Sequence, residues 1–405
     1  MANKPIPQSK AAISWATYDL ANTLYSAAIV TVFLPLYVTS LTQWNVLLGA
    51  AATFAMILSG ILSPAIGFVT DETGKTKRYL IFSTLTTCFA TICMIVSTHI
   101  VWVLGCFVIA HFFFLLSLVY YNSLLPTVAK PENQGRISGL GTGLGYAGVL
   151  FILPLGYWIE KTFSTQFVFP AIGIAYCLAS LPLFLFVPER TVENPKPFLW
   201  KNVGAKIIHV LGTLLELPKH RKMFFFLLAH FFILEAVNAI ILWLSVFIKF
   251  TFGLEQSVLI LVLLGSNFCA CIFGFVLGFW TDRYGAYRIL WLSISCLMIC
   301  LVLLAISSGP YLALFGIIIL GSLGFAGIWT SGRRYLISIS PPEKIGEFFG
   351  LYGMTTKLSC FSMALFALIA DAFSFRWAIV ELIGMLLIGF FFLWKAESKE
   401  LGVKS

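Results

Sequence analysis

Charge is the scarcest property of this sequence. Asp, Glu, Lys and Arg together make up 11% of its 405 residues, while 60% are hydrophobic. A soluble chain of this length needs a polar surface that so few charges cannot provide. The composition therefore excludes a soluble globular protein and points to a polytopic membrane protein. The mean hydropathy of +0.95 agrees.

Other absences narrow the chemistry. There is no H-E-x-x-H pattern, no Ser/Lys dyad near a membrane surface and no phosphate-binding loop after a strand, which argues against a membrane enzyme and against ATP drive. No cofactor is called for. The nine cysteines all fall in apolar runs. Cys269 and Cys271 have neither a second pair nor a nearby His, so no metal site is expected, and the cysteines read as small apolar packing residues. No cleavable signal is expected either: the start is short and polar, with Pro5 and Pro7, and runs into a long helix.

Long apolar runs are plentiful. Runs of about 20 residues suit helices that cross a bilayer, and they place spans near 11–38, 45–69, 79–97, 101–127, 137–159, 166–187, 223–249, 256–280, 289–307, 309–331, 347–371 and 375–395. The expected fold is an all-α membrane protein of twelve helices. Its expected units are a six-helix bundle over 1–187, a linker over 188–222 and a second six-helix bundle over 223–405. Within the linker, Trp200, Val203, Ile207, Val210, Leu211 and Leu214 recur at helical spacing among lysines, which predicts a basic amphipathic helix on the membrane surface.

The two bundles repeat a motif. Gly67-Phe68-Val69-Thr70-Asp71-Glu72-Thr73-Gly74-Lys75-Thr76-Lys77-Arg78 returns as Gly278-Phe279-Trp280-Thr281-Asp282-Arg283-Tyr284-Gly285-Ala286-Tyr287-Arg288, at a constant offset of 211. At the same offset Pro131-Glu132 matches Pro342-Glu343, Gly135 matches Gly346, and Gly139 matches Gly350. Parallel repeats of this kind are a plan of secondary transporters. In each copy the first glycine permits close helix approach. Asp71 and Asp282 are placed to accept from the N-terminal amides of a facing helix and to pair with a base. Gly74 and Gly285 permit the tight turn, and the bases Lys77, Arg78, Arg283 and Arg288 hold the loop at the headgroup level.

Positive charge sets the orientation. Of 26 Lys and Arg, 22 fall on the side of the N-terminus and three on the other, with Lys357 inside a span. Both termini and both motif copies are therefore expected in the cytoplasm. The formal net charge of +9 is accounted for by this topology and calls for no nucleic-acid partner.

The duplicated G-x-x-x-D-x-x-G-x-x-[KR] motif between spans two and three and spans eight and nine resembles the signature of the major facilitator superfamily. That resemblance implies a secondary transporter working by alternating access, with spans one, four, seven and ten around a central cavity and the motif latching the outward-facing state. Glu72 departs from the usual base after the aspartate, whereas Arg283 keeps it, so the second copy is expected to be the stronger latch. A narrower resemblance rests on Trp15-Ala16-Thr17-Tyr18-Asp19-Leu20-Ala21-Asn22, Tyr121-Asn122-Ser123-Leu124-Leu125-Pro126, Ser138-Gly139-Leu140-Gly141, Gly145-Tyr146-Ala147-Gly148 and Glu347-Phe348-Phe349-Gly350-Leu351-Tyr352 with Lys357 following. These look like the subgroup that includes the fungal vacuolar amino-acid effluxer of autophagy and its bacterial relatives. The chain departs from that subgroup at Trp329, where a Gln is usual, and at Ser362-Met363, where Gly-Pro is usual.

Ionisable groups inside a membrane are costly and mark function or pairing. Trp15, Asp19, Asn22 and Ser26 share one face of span one by spacing, for a gating or pocket role or an interhelical pair. Span seven carries His230, Glu235 and Asn238. Glu235 lies near mid-depth and is either a proton-coupling group or a fixed partner of Lys357 or His111. Lys357 has three readings: it neutralises Asp19, neutralises Glu235, or receives a substrate carboxylate. Asn122 and Asn267 complete the set of pocket candidates. The glycines of spans five and ten are read as close-packing faces. The expected partners are a small-molecule substrate such as an amino acid, protons and the lipid bilayer of a bacterial inner membrane, with the protein acting as a monomer. The alternatives are a facilitative uniporter or an exporter of another solute class, and, further away, a receptor or membrane enzyme.

This topology makes a direct prediction. Cysteine tags introduced within 72–78, 130–134, 190–196 and 399–405 should react with an impermeant thiol reagent only from the cytoplasmic side. Reaction of any one of them from outside would overturn the map.

Overall fold

The computed structural model describes residues 8–41, 46–192, 195, 216–253, 256–307, 309–359 and 361–398. Among these residues the regular structure is entirely helical. Twelve rods follow one another: α1 over 8–41, α2 Val46–Thr73, α3 Thr76–Cys93, α4 Ile100–Ser123, α5 Gln134–Thr162, α6 Thr165–Phe186, α7 Arg221–Phe252, α8 Gln256–Tyr284, α9 Ala286–Ile306, α10 over 310–339, α11 in two pieces, Ile345–Leu358 and Phe361–Ala372, and α12 Phe375–Glu397. Among the described residues, eleven helices are long and apolar enough to cross a membrane. The remaining rod, α10, carries Ser322, Thr330, Ser331, Arg333 and Arg334.

The distribution of apolar groups is that of an integral multi-pass membrane protein. Phe151, Leu178, Ile299 and Trp394 are each at least half exposed, which is tolerated where the surrounding medium is hydrocarbon. The buried residues gather in two large clusters. One runs from Ala11 to Val187. The other runs from Leu217 to Leu393 and takes in Val119 of α4.

The tight turns form where expected. Gly74 and Gly285 take positive φ, 65° and 91°, a region that a side chain disfavours. They let α3 and α9 start directly after α2 and α8. The first glycine of each motif also behaves as expected. Gly67 of α2 abuts the backbone of Gly346 at the start of α11. Gly278 of α8 packs on α5 so closely that a Cβ would lie 2.8 Å from the Gly135 carbonyl oxygen and 2.9 Å from the Gly139 Cα.

Two spans differ from the sequence reading. Span ten was placed at 309–331, but α10 continues to Ile339. Arg333 and Arg334, which the shorter span would leave in a loop, therefore lie on a helix. Span eleven was read as one rod, yet its first piece ends at Leu358 and the second begins at Phe361. Both α1 and α10 contain π-helical turns, at Ser26–Phe33 and Gly316–Gly321, a feature often found near functional sites. The predicted amphipathic helix of the linker lies outside the described residues.

Close glycine packing makes a stability prediction. Gly278→Ala should lower stability by about 1–3 kcal/mol, the usual cost of overpacking, because its neighbours are backbone atoms that cannot swing away. Gly49→Ala, where nothing lies within 4 Å of the added carbon, should be neutral or slightly stabilising, since alanine favours helix. Thermal unfolding of the two purified variants checks this, and equal stabilities would contradict it.

Candidate functional site

A helix begins with four backbone amides that lack intrahelical acceptors, and the helix dipole favours an anion there. Both motif aspartates exploit this. Asp282, at the end of α8, accepts from the amides of Gly135 and Arg136 at 2.7 and 2.8 Å, at the start of α5. Asp71, at the end of α2, accepts from the amides of Gly346 and Glu347 at 2.8 and 2.7 Å, at the start of α11. Each carboxylate thus ties one of the first six helices to one of the last six, at the end of the molecule that carries the motif.

The cations differ between the copies, and here the structure corrects the sequence. Arg283 does not reach Asp282: its guanidinium lies over the Tyr284 ring at 5.3 Å. The cation that pairs with Asp282 is Arg136, at 3.7 Å, with Arg334 within electrostatic range. Asp71, whose copy lacks a base at the next position, pairs with Arg190 from the segment after α6. Arg190 also donates to the Pro342 carbonyl at 2.6 Å. The first copy is therefore the more strongly tied. The other motif bases have separate tasks. Lys77 donates through its ammonium to the Val187 carbonyl and through its amide to Glu189, both at 2.6 Å. Arg78 lies 4.0 Å from Glu189 and is largely exposed. Arg288 is exposed beside the second turn. Burial pushes the Glu189 carboxyl above the usual range, against the opposing pull of the Lys77 and Arg78 amides.

Deeper in the bundle lies a cavity of about 280 Å³. Asp19, Thr23 and Ser26 reach it from α1, Tyr121 and Asn122 from α4, Thr142 and Tyr146 from α5, Trp329 and Arg333 from α10, and Tyr352 from α11. On its wall Arg333 pairs with Asp19 at 2.9 Å and donates to Thr142 at 2.6 Å and to the Trp329 carbonyl at 3.0 Å. Aromatic faces back the guanidinium. Its carbon lies 5.7 Å from the Trp15 ring and 6.0 Å from the Tyr121 ring, and those two rings stack at 4.3 Å. Small residues on α5 allow α1 to come this close: a Cβ on Gly141 would lie 2.8 Å from an Asp19 carboxylate oxygen.

The other residues singled out in the sequence are dispersed. Trp15 is fully buried, outside the cavity lining, and donates to the Tyr121 carbonyl at 2.9 Å. Asn22 turns away, accepting from the Tyr176 hydroxyl at 3.2 Å, so the polar face read along span one is divided between cavity and core. His111 is sandwiched by Phe107 and Phe114. His230 stacks on Tyr352 at 3.8 Å and meets the Thr355 hydroxyl at 2.8 Å. Asn238 donates to the Ser359 carbonyl at 2.6 Å. Asn267 is half-buried on α8, outside the cavity lining. Glu235 accepts from the Ser362 amide at 2.7 Å. Lys357 donates to the Ser63 hydroxyl at 2.5 Å, and among the described residues it pairs with no carboxylate, neither Asp19 nor Glu235. The partner of Asp19 is Arg333, which the sequence reading missed because it ended span ten two residues earlier. The signal was available, since a carboxylate inside span one requires a cation.

The Major Facilitator Superfamily profile matches residues 20–360 and again 226–405. An uncharacterized protein of Aquifex aeolicus is 26% identical over 390 residues, covering 95% of this chain and 96% of that protein. The uncharacterized MFS-type transporter YxiO of Bacillus subtilis is 24% identical and covers 85% of each chain. Among solved structures, the human organic anion transporter MFSD10 superposes with a TM-score of 0.81 at 12% identity, over 96% of this chain and all of that one. The E. coli fucose:proton symporter FucP gives 0.76 at 14% identity, over 96% and 97%. At these identities the structural likeness shows the fold.

The ion pair at the cavity generates a testable asymmetry. Removing one partner leaves an uncompensated charge in a largely buried site, at a cost of about 3 kcal/mol or more. Removing both leaves none. Asp19→Leu and Arg333→Met should each lower the unfolding temperature, and the double variant should be more stable than at least one of the singles. Strictly additive losses would contradict the pairing.

Proposed function

The chain belongs to the Major Facilitator Superfamily, and from that premise we propose that this transporter moves a small polar or amphipathic metabolite, an amino acid, across a bacterial inner membrane by alternating access. The two moving bodies of this reading are residues 1–187 and 223–405, joined by 188–222, with both termini in the cytoplasm and the protein a monomer. The superfamily places the protein among transporters rather than enzymes.

The observation that carries the substrate reading is the Asp19–Arg333 pair at the cavity. The carboxylate comes from α1 and the guanidinium from α10, so one group belongs to each moving body. An α-amino acid carries the complementary charges on a single carbon. Its ammonium would take the place of Arg333 against Asp19, and its carboxylate the place of Asp19 against Arg333. An Arg fork suits a carboxylate. Asn122 and Thr142 supply neutral polar groups, and Tyr146 and Trp329 an aromatic wall. The subgroup resemblance supports the same substrate class.

The motif end supports the conformational part. Asp71 and Asp282 each cross from one moving body to the other, so their bonds exist only while the motif end is closed. The arrangement is read as closed on the cytoplasmic side, with passage to that side requiring both clasps to open. Drive by a proton gradient is the coupling mode adopted here, because carboxylates lie within the spans.

A ligand screen tests the substrate class. Ligands that bind the folded state raise its apparent melting temperature. Neutral amino acids should raise it for the wild type, while sugars and simple monocarboxylates should not. Arg333→Gln should abolish the rise. A rise with sugars alone, or one retained in Arg333→Gln, would defeat the amino-acid reading.

A further inference from the structure

The interruption of α11 is held by two side chains of α7. The first piece ends at Leu358, and its trailing Ser359 carbonyl receives the Asn238 amide at 2.6 Å. The second piece begins at Phe361, and its Ser362 amide donates to Glu235 at 2.7 Å. A third side chain enters from α12: Glu381 accepts from the Ser362 hydroxyl at 2.9 Å. One serine thus carries a carboxylate on its amide and another on its hydroxyl, and the two carboxylates lie within electrostatic range of each other.

Each carboxylate has an oxygen left over. Glu235 is 2% exposed, and its Oε1 is buried without a hydrogen-bond partner, as is Oε2 of Glu381. Among the described residues no cation pairs with either carboxylate. Of the charged and titratable groups on the elements around them, Lys357 of α11 is held by Ser63 on α2. His230 of α7 is held by Thr355. Arg376, at the start of α12, donates to the Ser307 carbonyl. Arg333 of α10 is engaged by Asp19. Lys395 and Glu397 lie at the far end of α12, about 20 Å along the helix from Glu381. Two like charges sharing a buried site cannot both ionise cheaply. A carboxylic acid, unlike a carboxylate, supplies the missing donor.

We propose that the interruption of α11 is a proton-binding site in which Glu235 and Glu381 share one proton. The bound form is one carboxylic acid donating to the other carboxylate. Release returns the proton to water and leaves two carboxylates, stabilised by the Ser362 amide and hydroxyl until the site opens. Broken helices in other transporters place coupling ions in the same way, at exposed backbone between two half-helices. The inference deepens the coupling part of the proposed function: it assigns a two-carboxylate site beside α11, separate from the substrate groups Asp19 and Arg333.

The test reads proton binding directly and needs no transport. Infrared difference spectra of the purified protein, recorded against pH, resolve the carbonyl stretch of protonated carboxyl groups. The wild type should show a buried carboxylic acid whose band is lost, or whose midpoint moves by about one pH unit or more, in both Glu235→Gln and Glu381→Gln, because sharing needs two partners. Ser362→Ala, which keeps the amide and removes the hydroxyl, should displace the midpoint as well, and guards against misfolding of the charge-neutral variants. An unchanged band and midpoint in Glu381→Gln would show that Glu235 titrates alone, which overturns the proposal. So would a wild-type band that disappears at constant pH and ionic strength when potassium is replaced by sodium, since the occupant would then be sodium. Because the readout is spectroscopic, failure here leaves the transport reading standing, and absence of transport would leave this band in place.

Discussion

The arrangement depends on a carboxylate set against the start of a facing helix, used twice. Asp71 and Asp282 each accept two backbone amides from a helix on the opposite side of the molecule. The amides are helix-terminal donors without intrahelical acceptors, and the dipole adds to their attraction. Such bonds need backbone to come close, which explains the glycines at the first motif position and at Gly135 and Gly346. A side chain on Gly67 or Gly278 would push the capped helix away from its carboxylate. Geometry and electrostatics therefore act at the same contact. Arg190 adds to this at Asp71 by reaching both the carboxylate and the Pro342 carbonyl.

Within the bundle the same rule, that a charge in a low-dielectric region must be matched, separates three sites. Asp19 is matched by Arg333 across two helices lining the cavity. Lys357 is solvated by the Ser63 hydroxyl between α2 and α11. Among the described residues Glu235 receives only the Ser362 amide, and a second carboxylate, Glu381, sits on the hydroxyl of the same serine. The first is suited to exchange partners with a substrate, because each of its charges has a natural replacement. The second holds α11 to α2 about 12 Å along α2 from the Asp71 contact. The third has no charge to exchange and is suited to a proton.

Much of the fold was legible in the sequence because a bilayer imposes a length and a composition on every span. The two clasps were legible because the motif repeats and because a carboxylate at a span end has few ways to be satisfied. What escaped notice was long-range. Arg333 lies two residues beyond the apparent end of its span, where a charge reads as a loop charge, although its guanidinium pairs with Asp19, more than three hundred positions away. Arg190 likewise shows only its sign in the sequence, while its partner, Asp71, is more than a hundred positions away. The break in α11 carries no proline or glycine to announce it: the interruption is stabilised by Asn238 and Glu235 on another helix. Trp15 and Asn22 sit at the right spacing for a shared face, but packing against α4 and α6 turned them from the cavity.

The central claim is that the Asp71 and Asp282 contacts hold the motif end closed. Spin labels on the loop between α2 and α3 and on the turn between α10 and α11 report the width of that end by pulsed electron resonance. The account predicts a single short distance in the wild type and a growing long-distance population in Asp71→Asn and Asp282→Asn. The larger shift should come from Asp71→Asn, because that change also weakens the contact with Arg190. Identical distance distributions in all three proteins would contradict it.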